Sequence, residues 1–222
     1  MKKPVVIYSS DDNPDYVEFE PIVKEFWETL GFEPYYAKIG SEEYPLIEGV
    51  ESSLQSQIVR LYAPRLFPNR IVLTTDIDML PFDKNYFLEK LPQAKNQISI
   101  FCADSYEGKR YPMCYLAAYG KTFESIALEK NETWEQFVIR LHSLNLGWNT
   151  DELYMTERIN NSSFKKIKYS RGWLPNGVAK NRLCRVFWYW DESEKYYDAH
   201  CPRPYSAHKE QIDSLRYFLT TE

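Results

Sequence analysis

The chain is poor in cysteine. Cys102, Cys114, Cys184 and Cys201 are scattered over 222 residues with no CxxC. That excludes a zinc ribbon, a zinc finger and a thioredoxin-like redox motif. Reduced thiols in a cytoplasmic protein are the expectation. Positive charge is not in surplus either: 27 Lys and Arg face 32 Asp and Glu, for a net charge of −5 and a pI near 5.4. A nucleic-acid binder would normally carry a basic stripe, so no nucleic-acid partner is expected. No apolar run is long enough for a membrane span, and "MKKPVVIYSS" is too short in its apolar part for a signal peptide. Internal repeats, low-complexity tracts and flexible linkers are also missing.

What is present is a hydrophobic fraction of 44%, enough for a sizeable core, and an aromatic fraction of 16% with 18 Tyr and 6 Trp. Most of these rings are expected in the core and its rim, although Tyr and Trp also stack on sugars and bases. "PVVIYSS" (4–10) reads as a short apolar strand ended by the turn-rich "SSDDNPD". Phe19, Ile22, Val23, Phe26, Trp27 and Leu30 recur at helical spacing, and Gly31 is a natural stop. "FEPYYAKIG" reads as a second strand. Leu54, Ile58, Leu61 and Tyr62 mark a second helix ending near Pro64. "RIVLTTD" is the third strand, with Pro81 expected to stop its ladder. The result is βαβαβ, one half of a doubly wound sheet.

The second half is less regular. "NQISIFCAD" and "YPMCYLAAYG" read as strands, and Trp134, Phe137, Val138, Leu141 and Leu144 as a helix. "GWNTDELYMTERI" opens another helix. "SFKKIKYS", "RVFWYW" and "KYYDAHC" are strand candidates, and "SAHKEQIDSLRYFLTT" a C-terminal helix. The expected class is α/β: a single domain over residues 1–222, with a Rossmann-like N-terminal half and a mixed central sheet.

Ligands of such sheets sit beyond the carboxyl ends of the strands. Ser9–Asp15 and Thr74–Asp78 both fall there. In an extended strand, residues i and i+2 share a face. Asp76 and Asp78 would therefore converge and repel unless a cation lay between them. Oxygen donors suit Mg²⁺ or Mn²⁺, with substrate phosphates completing the shell. Two solvated acids in a turn are the plainer alternative.

"VVIYSSDD", "VLTTDIDMLPF", "GWNTDE" and "AHCPRPY", in this order and spacing, resemble the glycosyltransferases of the A-type fold. The size is similar to that of the compact glycosyltransferase domains of large algal viruses. The resemblance implies a nucleotide-binding half (1–80) and an acceptor-binding half (81–222). It implies a UDP-sugar donor, a glycan or glycoprotein acceptor, and Mn²⁺ or Mg²⁺ on Asp76 and Asp78. His200 is similar in order to the family's late histidine ligand, with His208 as its rival, and imidazole beside two carboxylates favours Mn²⁺. Arg203 stands where a diphosphate-binding cation is found, with Arg replacing Lys and a shorter spacing. Ser9, Asp11 and Asp12 become candidates for base and ribose. Gln57 and Arg60 lie on the helix face that reaches back to the nucleotide. His142, inside an amphipathic helix, reads as structural.

On the acceptor side, Asp151 or Glu152 would be the general base. Asn149 with Glu152 three residues on is close to a capping box, which places Asp151 ahead as base. Asp15 is the expected cap of the first helix. Trp148 would stack on a sugar or fill core. Asp-x-Asp after a strand also resembles the haloacid-dehalogenase-like phosphatases. There, however, the motif follows the first strand, and no later Asp-Asp pair is evident here. A nucleotidyltransferase would need a Gly-rich, Lys/Arg-bearing loop after the first strand. A non-catalytic sugar- or nucleotide-binding module remains the non-enzymatic alternative.

Overall fold

The structure is a computed structural model that describes residues 2–174, 177–191 and 193–220. In chain order the elements are β1 (Val5–Ser10), α1 (Pro14–Val17), α2 (Glu20–Thr29), β2 (Glu33–Lys38), α3 (Ser52–Tyr62), β3 (Ile71–Thr74), β4 (Met79–Pro81), α4 (Lys84–Leu88), β5 (Gln97–Phe101), β6 (Leu116–Tyr119), α5 (Gly120–Ala127), α6 (Trp134–Ser143), α7 (Thr150–Asn161), β7 (Lys165–Tyr169), β8 (Arg182–Cys184), β9 (Asp198–His200), α8 (Lys209–Asp213) and α9 (Tyr217–Thr220). The central sheet has the order β2-β1-β3-β6-β5-β7. β1 runs parallel to β2 and β3, β6 is antiparallel to β3 and β5, and β7 is parallel to β5. This is the mixed α/β sheet that the sequence predicts.

β1 is buried along its whole length. Its side chains alternate between two cores, as a period of two requires. Val5 and Ile7 pack with Val72, Ile98 and residues of α3, α5, α6 and α7 on one face. Val6 and Tyr8 pack with Leu73, Ala117 and α2 on the other. Trp27 anchors this second core, with its ring centroid 4.9 Å from that of Phe32 and 5.0 Å from that of Phe87. Gly31, at φ +90°, ends the α2 segment as expected.

Several expectations are corrected. β3 stops at Thr74, so Asp76 and Asp78 lie beyond the strand, in a turn closed by Met79 N–H donating to Asp76 O at 3.2 Å. That both line one cavity follows from this turn and not from strand alternation. Pro81 does not end a ladder. It lies in β4, the edge of a second sheet of order β4-β9-β8, where a missing N–H can face away from the partner. Asn13, not Asp15, caps α1: its side chain accepts from Asp15 N–H, with Pro14 in the first turn. "YPMCYLAAYG" forms a strand only from Leu116, after a 3₁₀ turn at Met113–Tyr115.

"RVFWYW" is not a strand. β8 precedes it, and Phe187 N–H turns back to Cys184 O at 2.9 Å. Trp188 and Trp190 pack inward against the second core, while Phe187 and Tyr189 are exposed. The C-terminal helix is broken into α8 and α9 by a 3₁₀ turn at Ser214–Arg216. Thr221, at its expected end, lies outside the described residues. His142 is exposed on α6.

Candidate active site

A cavity of about 280 Å³ opens beyond the ends of β1 and β3. It collects most of the residues singled out from the sequence: Ser9 at the end of β1 and Asp11 just after it, Gln57 and Arg60 on α3, Asp76 and Asp78 in the turn, Asp151 and Glu152 on α7, and His200 and Arg203 near the end of the chain. Asp12 is not part of it. It is exposed and pairs with Lys38 at 2.8 Å. His208 ends a 3₁₀ turn and does not line the cavity.

The small sheet explains why Asp78 meets His200. β4 and β9 pair with Met79 opposite His200, and β8 and β9 with Cys184 opposite His200. Asp78 immediately precedes β4, and Cys201 N–H donates to its carbonyl at 2.9 Å. Arg185 immediately follows β8. Register alone thus sets an acid, an imidazole and a guanidinium side by side. His200 Nε2 and an Arg185 Nη lie 3.3 Å from Asp78 Oδ2, and Arg203 Nε lies 3.5 Å from it. Burial would raise the Asp78 pKa, but the charges of His200 and Arg185 outweigh it and hold it below its ordinary value.

Asp76 faces the same cavity but is drawn to Arg60, which pairs through one nitrogen with Asp76 and through the other with Asp151 at 3.0 Å. Arg60 is buried. Burial alone would lower its pKa; the two carboxylates raise it. Asp151 also accepts from Glu152 N–H at 2.8 Å, so both its oxygens are engaged. Burial pushes the Asp151 pKa up to about 6, against the pull of Arg60. Burial, then the neighbouring Asp151 charge, pushes Glu152 up to about 7.

The expected capping box at α7 does not form. Asn149 makes no side-chain cap, because a 3₁₀ turn at Gly147–Asn149 leads directly into the helix. Glu152 is thereby released from capping. Arg110 Nε lies 2.6 Å from Glu152 Oε2, yet its N–H is not directed at that oxygen, which has no hydrogen-bond partner among the described residues. Trp148 is 65% exposed at the rim and fills no core.

The nucleotide-side residues are held by neighbours. Ser52 Oγ donates to Asp11 Oδ2 at 2.6 Å, and Ser9 Oγ donates to the Ser56 carbonyl at 2.5 Å. The cavity also takes in Asn13, Tyr16, Ser53, Tyr106 and Arg185, which the sequence reading missed. Asn13 lies in the same turn-rich stretch as the chosen acids, and Tyr16 follows it on α1. Arg185 opens an aromatic run that reads as a strand, so nothing marked it as cavity-facing.

Among the described residues, no group of three or more His, Cys, Asp and Glu side chains is arranged to hold a metal ion. The donor chemistry nonetheless suits one. Asp78 and His200 offer an oxygen and a nitrogen 3.3 Å apart, and Asp76 presents a carboxylate to the same space.

No family model matches the chain, and no curated protein matches it in sequence. Solved structures do match. A glycosyltransferase involved in the glycosylation of the major capsid of PBCV-1 superposes with a TM-score of 0.53 at 15% identity, over 95% of this chain and 99% of that one. The glycosyltransferase GlyE of Streptococcus pneumoniae TIGR4 gives 0.43 at 14%, over 75% of this chain and 45% of that one. An active-site mutant of LgtC gives 0.45 at 12%, over 95% of each chain. The first of these likenesses establishes the fold: the chain has the A-type glycosyltransferase fold. No helix among the described residues is long and apolar enough to cross a membrane.

Proposed function

We propose that the protein is a glycosyltransferase that moves a hexose from a UDP-sugar to a hydroxyl of a glycan or glycoprotein, with Mn²⁺ or Mg²⁺ held by Asp76, Asp78 and His200. The observation that carries this reading is the shared cavity. It joins the loop after β1, the acid-bearing turn and the first turn of α7 with an imidazole and three arginines. The A-type fold along nearly the whole chain supports it.

The residues divide the work by position. Asp11, held by Ser52, and Ser9 face the space for base and ribose. Arg203 packs its guanidinium over the Tyr16 ring at 4.5 Å, and an arginine so placed meets phosphate oxygens bidentately. A bound divalent ion would supply charge to the departing diphosphate. Arg60 fixes Asp151 beside Asp76, which keeps the acceptor-side carboxylate at a set place near the reacting carbon. Glu152, whose Oε2 faces Arg110 without a hydrogen bond and whose pKa is pushed up to about 7, takes the acceptor's proton better than Asp151, whose oxygens are both hydrogen-bonded. Trp148 at the rim offers an apolar face to the acceptor ring.

The test is incubation with UDP-sugars and, separately, p-nitrophenyl phosphate, each with Mn²⁺ and with EDTA. Metal-dependent release of UDP supports the reading. Release of phosphate from the nitrophenyl ester in place of UDP release would transfer it to a phosphatase, and UDP-sugar binding without turnover to a non-catalytic module.

A further inference from the structure

Arginines from the C-terminal third of this chain meet Asp198 and Asp78 in two different ways, and the difference is informative. Asp198 is wholly buried and takes Arg171 and Arg182 through four hydrogen bonds of 2.8–3.0 Å. Those are the lengths of strong charge-assisted hydrogen bonds. Asp78 is handled differently. His200, Arg185 and Arg203 all crowd one of its oxygens, Oδ2, and none comes nearer than 3.3 Å. Three basic donors on one oxygen at such lengths leave most of their hydrogen-bonding capacity unused. Arg185 reaches Asp78 through a single nitrogen, and its side chain keeps 33% exposure within the cavity wall.

The backbone that carries Arg185 is fixed on both sides. Cys184 pairs with His200 before it, and Trp188 and Trp190 are packed into the second core after it. The side chain can therefore swing without moving its segment. Arg185 also lines a shallower extension of the cavity together with Arg203, Trp148 and Tyr16.

We propose that Arg185 is a second diphosphate-binding cation, which rests on Asp78 when no donor is bound and turns to the phosphates when one enters. This rests on the UDP-sugar reading above. Arg185 compensates the buried Asp78 carboxylate. A divalent ion held by Asp78 would supply that compensation instead, leaving the guanidinium free to meet phosphate oxygens. Metal and nucleotide diphosphate then bind as a coupled pair, and each strengthens the other by the same factor.

The experiment is calorimetry on the full chain with UDP, with uridine and with Mn²⁺ alone, comparing the parent with Arg185→Ala, Arg185→Gln and Arg185→Lys. Melting temperatures verify that each variant is folded. In Mn²⁺, Arg185→Ala and Arg185→Gln should weaken UDP by about 10- to 100-fold, the usual worth of a charged hydrogen bond. Uridine, which lacks phosphates, should bind within about twofold of the parent, and Arg185→Lys should recover part of the loss. Mn²⁺ alone should bind Arg185→Ala at least as tightly as the parent, since a competitor for Asp78 is gone. Unchanged UDP affinity in both Ala and Gln variants overturns the proposal, and so does an equal loss for UDP and uridine. A parent protein that does not bind UDP in Mn²⁺ overturns the donor reading itself, which distinguishes the two failures.

Discussion

Arg60 donates from one terminal nitrogen to Asp151 Oδ2 at 3.0 Å while the other pairs with Asp76, so a single buried guanidinium ties α3 to both the acid-bearing turn and the first turn of α7. Arg60→Ala leaves two carboxylates facing one another, with Asp151 only 4% exposed. Breaking such a buried pair costs about 3–5 kcal/mol. The loss must depend on pH. Arg60 pulls the Asp151 pKa down, so its removal sends that pKa above about 6. An acid whose folded pKa is raised destabilises the fold when ionised and is relieved as pH falls below that pKa. Urea melts should therefore show a larger deficit at pH 8 than at pH 5. An equal deficit at both would mean that Arg60 acts by packing alone.

The metal assignment is separable from the fold. Asp78→Ala should abolish metal-dependent UDP binding, while the β3 core of Val72 and Leu73 keeps the sheet intact. His200→Ala should weaken Mn²⁺ by more than about tenfold, since even partners outside the ligand shell are worth 10–100-fold. His208→Ala should leave Mn²⁺ affinity unchanged, because His208 is outside the cavity. Calorimetry in which His208→Ala loses metal and His200→Ala keeps it would reverse the assignment.

Asp198 lies two residues before His200, in the same short strand. Arg171 and Arg182 outweigh the effect of burial and hold its pKa far below the ordinary carboxylate value. Such a depressed pKa contributes stability above about pH 4, the unfolded value, and that contribution is lost as pH falls toward the native pKa. Asp198→Asn should cost about 3–5 kcal/mol at pH 7, because it leaves two arginines without their counter-charge. The cost should shrink toward pH 2. A variant that melts with the parent at pH 7 would show that this triad does not hold β9 in place.

The parallel half of the fold was legible because Val5–Tyr8, the α2 face and Ile71–Leu73 are strongly periodic and end at turn residues. The three-residue strands β4, β8 and β9 were not legible as a sheet. β4 pairs only with the distant β9, Met79 opposite His200, and Pro81 in β4 argues locally against pairing. That small sheet is what sets Arg185 against Asp78, so the arginine was missed for the same reason. Asp76, Asp78 and Asp151 stood out as acids at a strand end and a helix start, and His200 through its place in the family resemblance; all four line the cavity. The choice between Asp151 and Glu152 turned on a capping box that the Gly147–Asn149 turn prevents from forming.

That choice gives the last prediction. If Glu152 accepts the acceptor's proton, Glu152→Gln should lower transfer by about 10²–10⁴-fold, the usual worth of a positioned base, and leave UDP-sugar binding within about twofold. The parent's rate should fall as pH drops through about 7, because the base must be ionised. Asp151→Asn should behave differently. It removes the neighbouring charge that helps raise the Glu152 pKa, so the acid limb of the pH–rate profile should move to lower pH. Loss of the contact to Arg60 should weaken donor binding at the same time. A parent-like rate in Glu152→Gln with a 10²-fold or greater loss in Asp151→Asn would return the role to Asp151. Parent-like rates in both variants would remove the general base altogether and leave the donor phosphate as proton acceptor. The anomeric configuration of the product, read by NMR, checks that outcome without a mutant: retention accords with a phosphate acceptor, inversion with a carboxylate on the acceptor side.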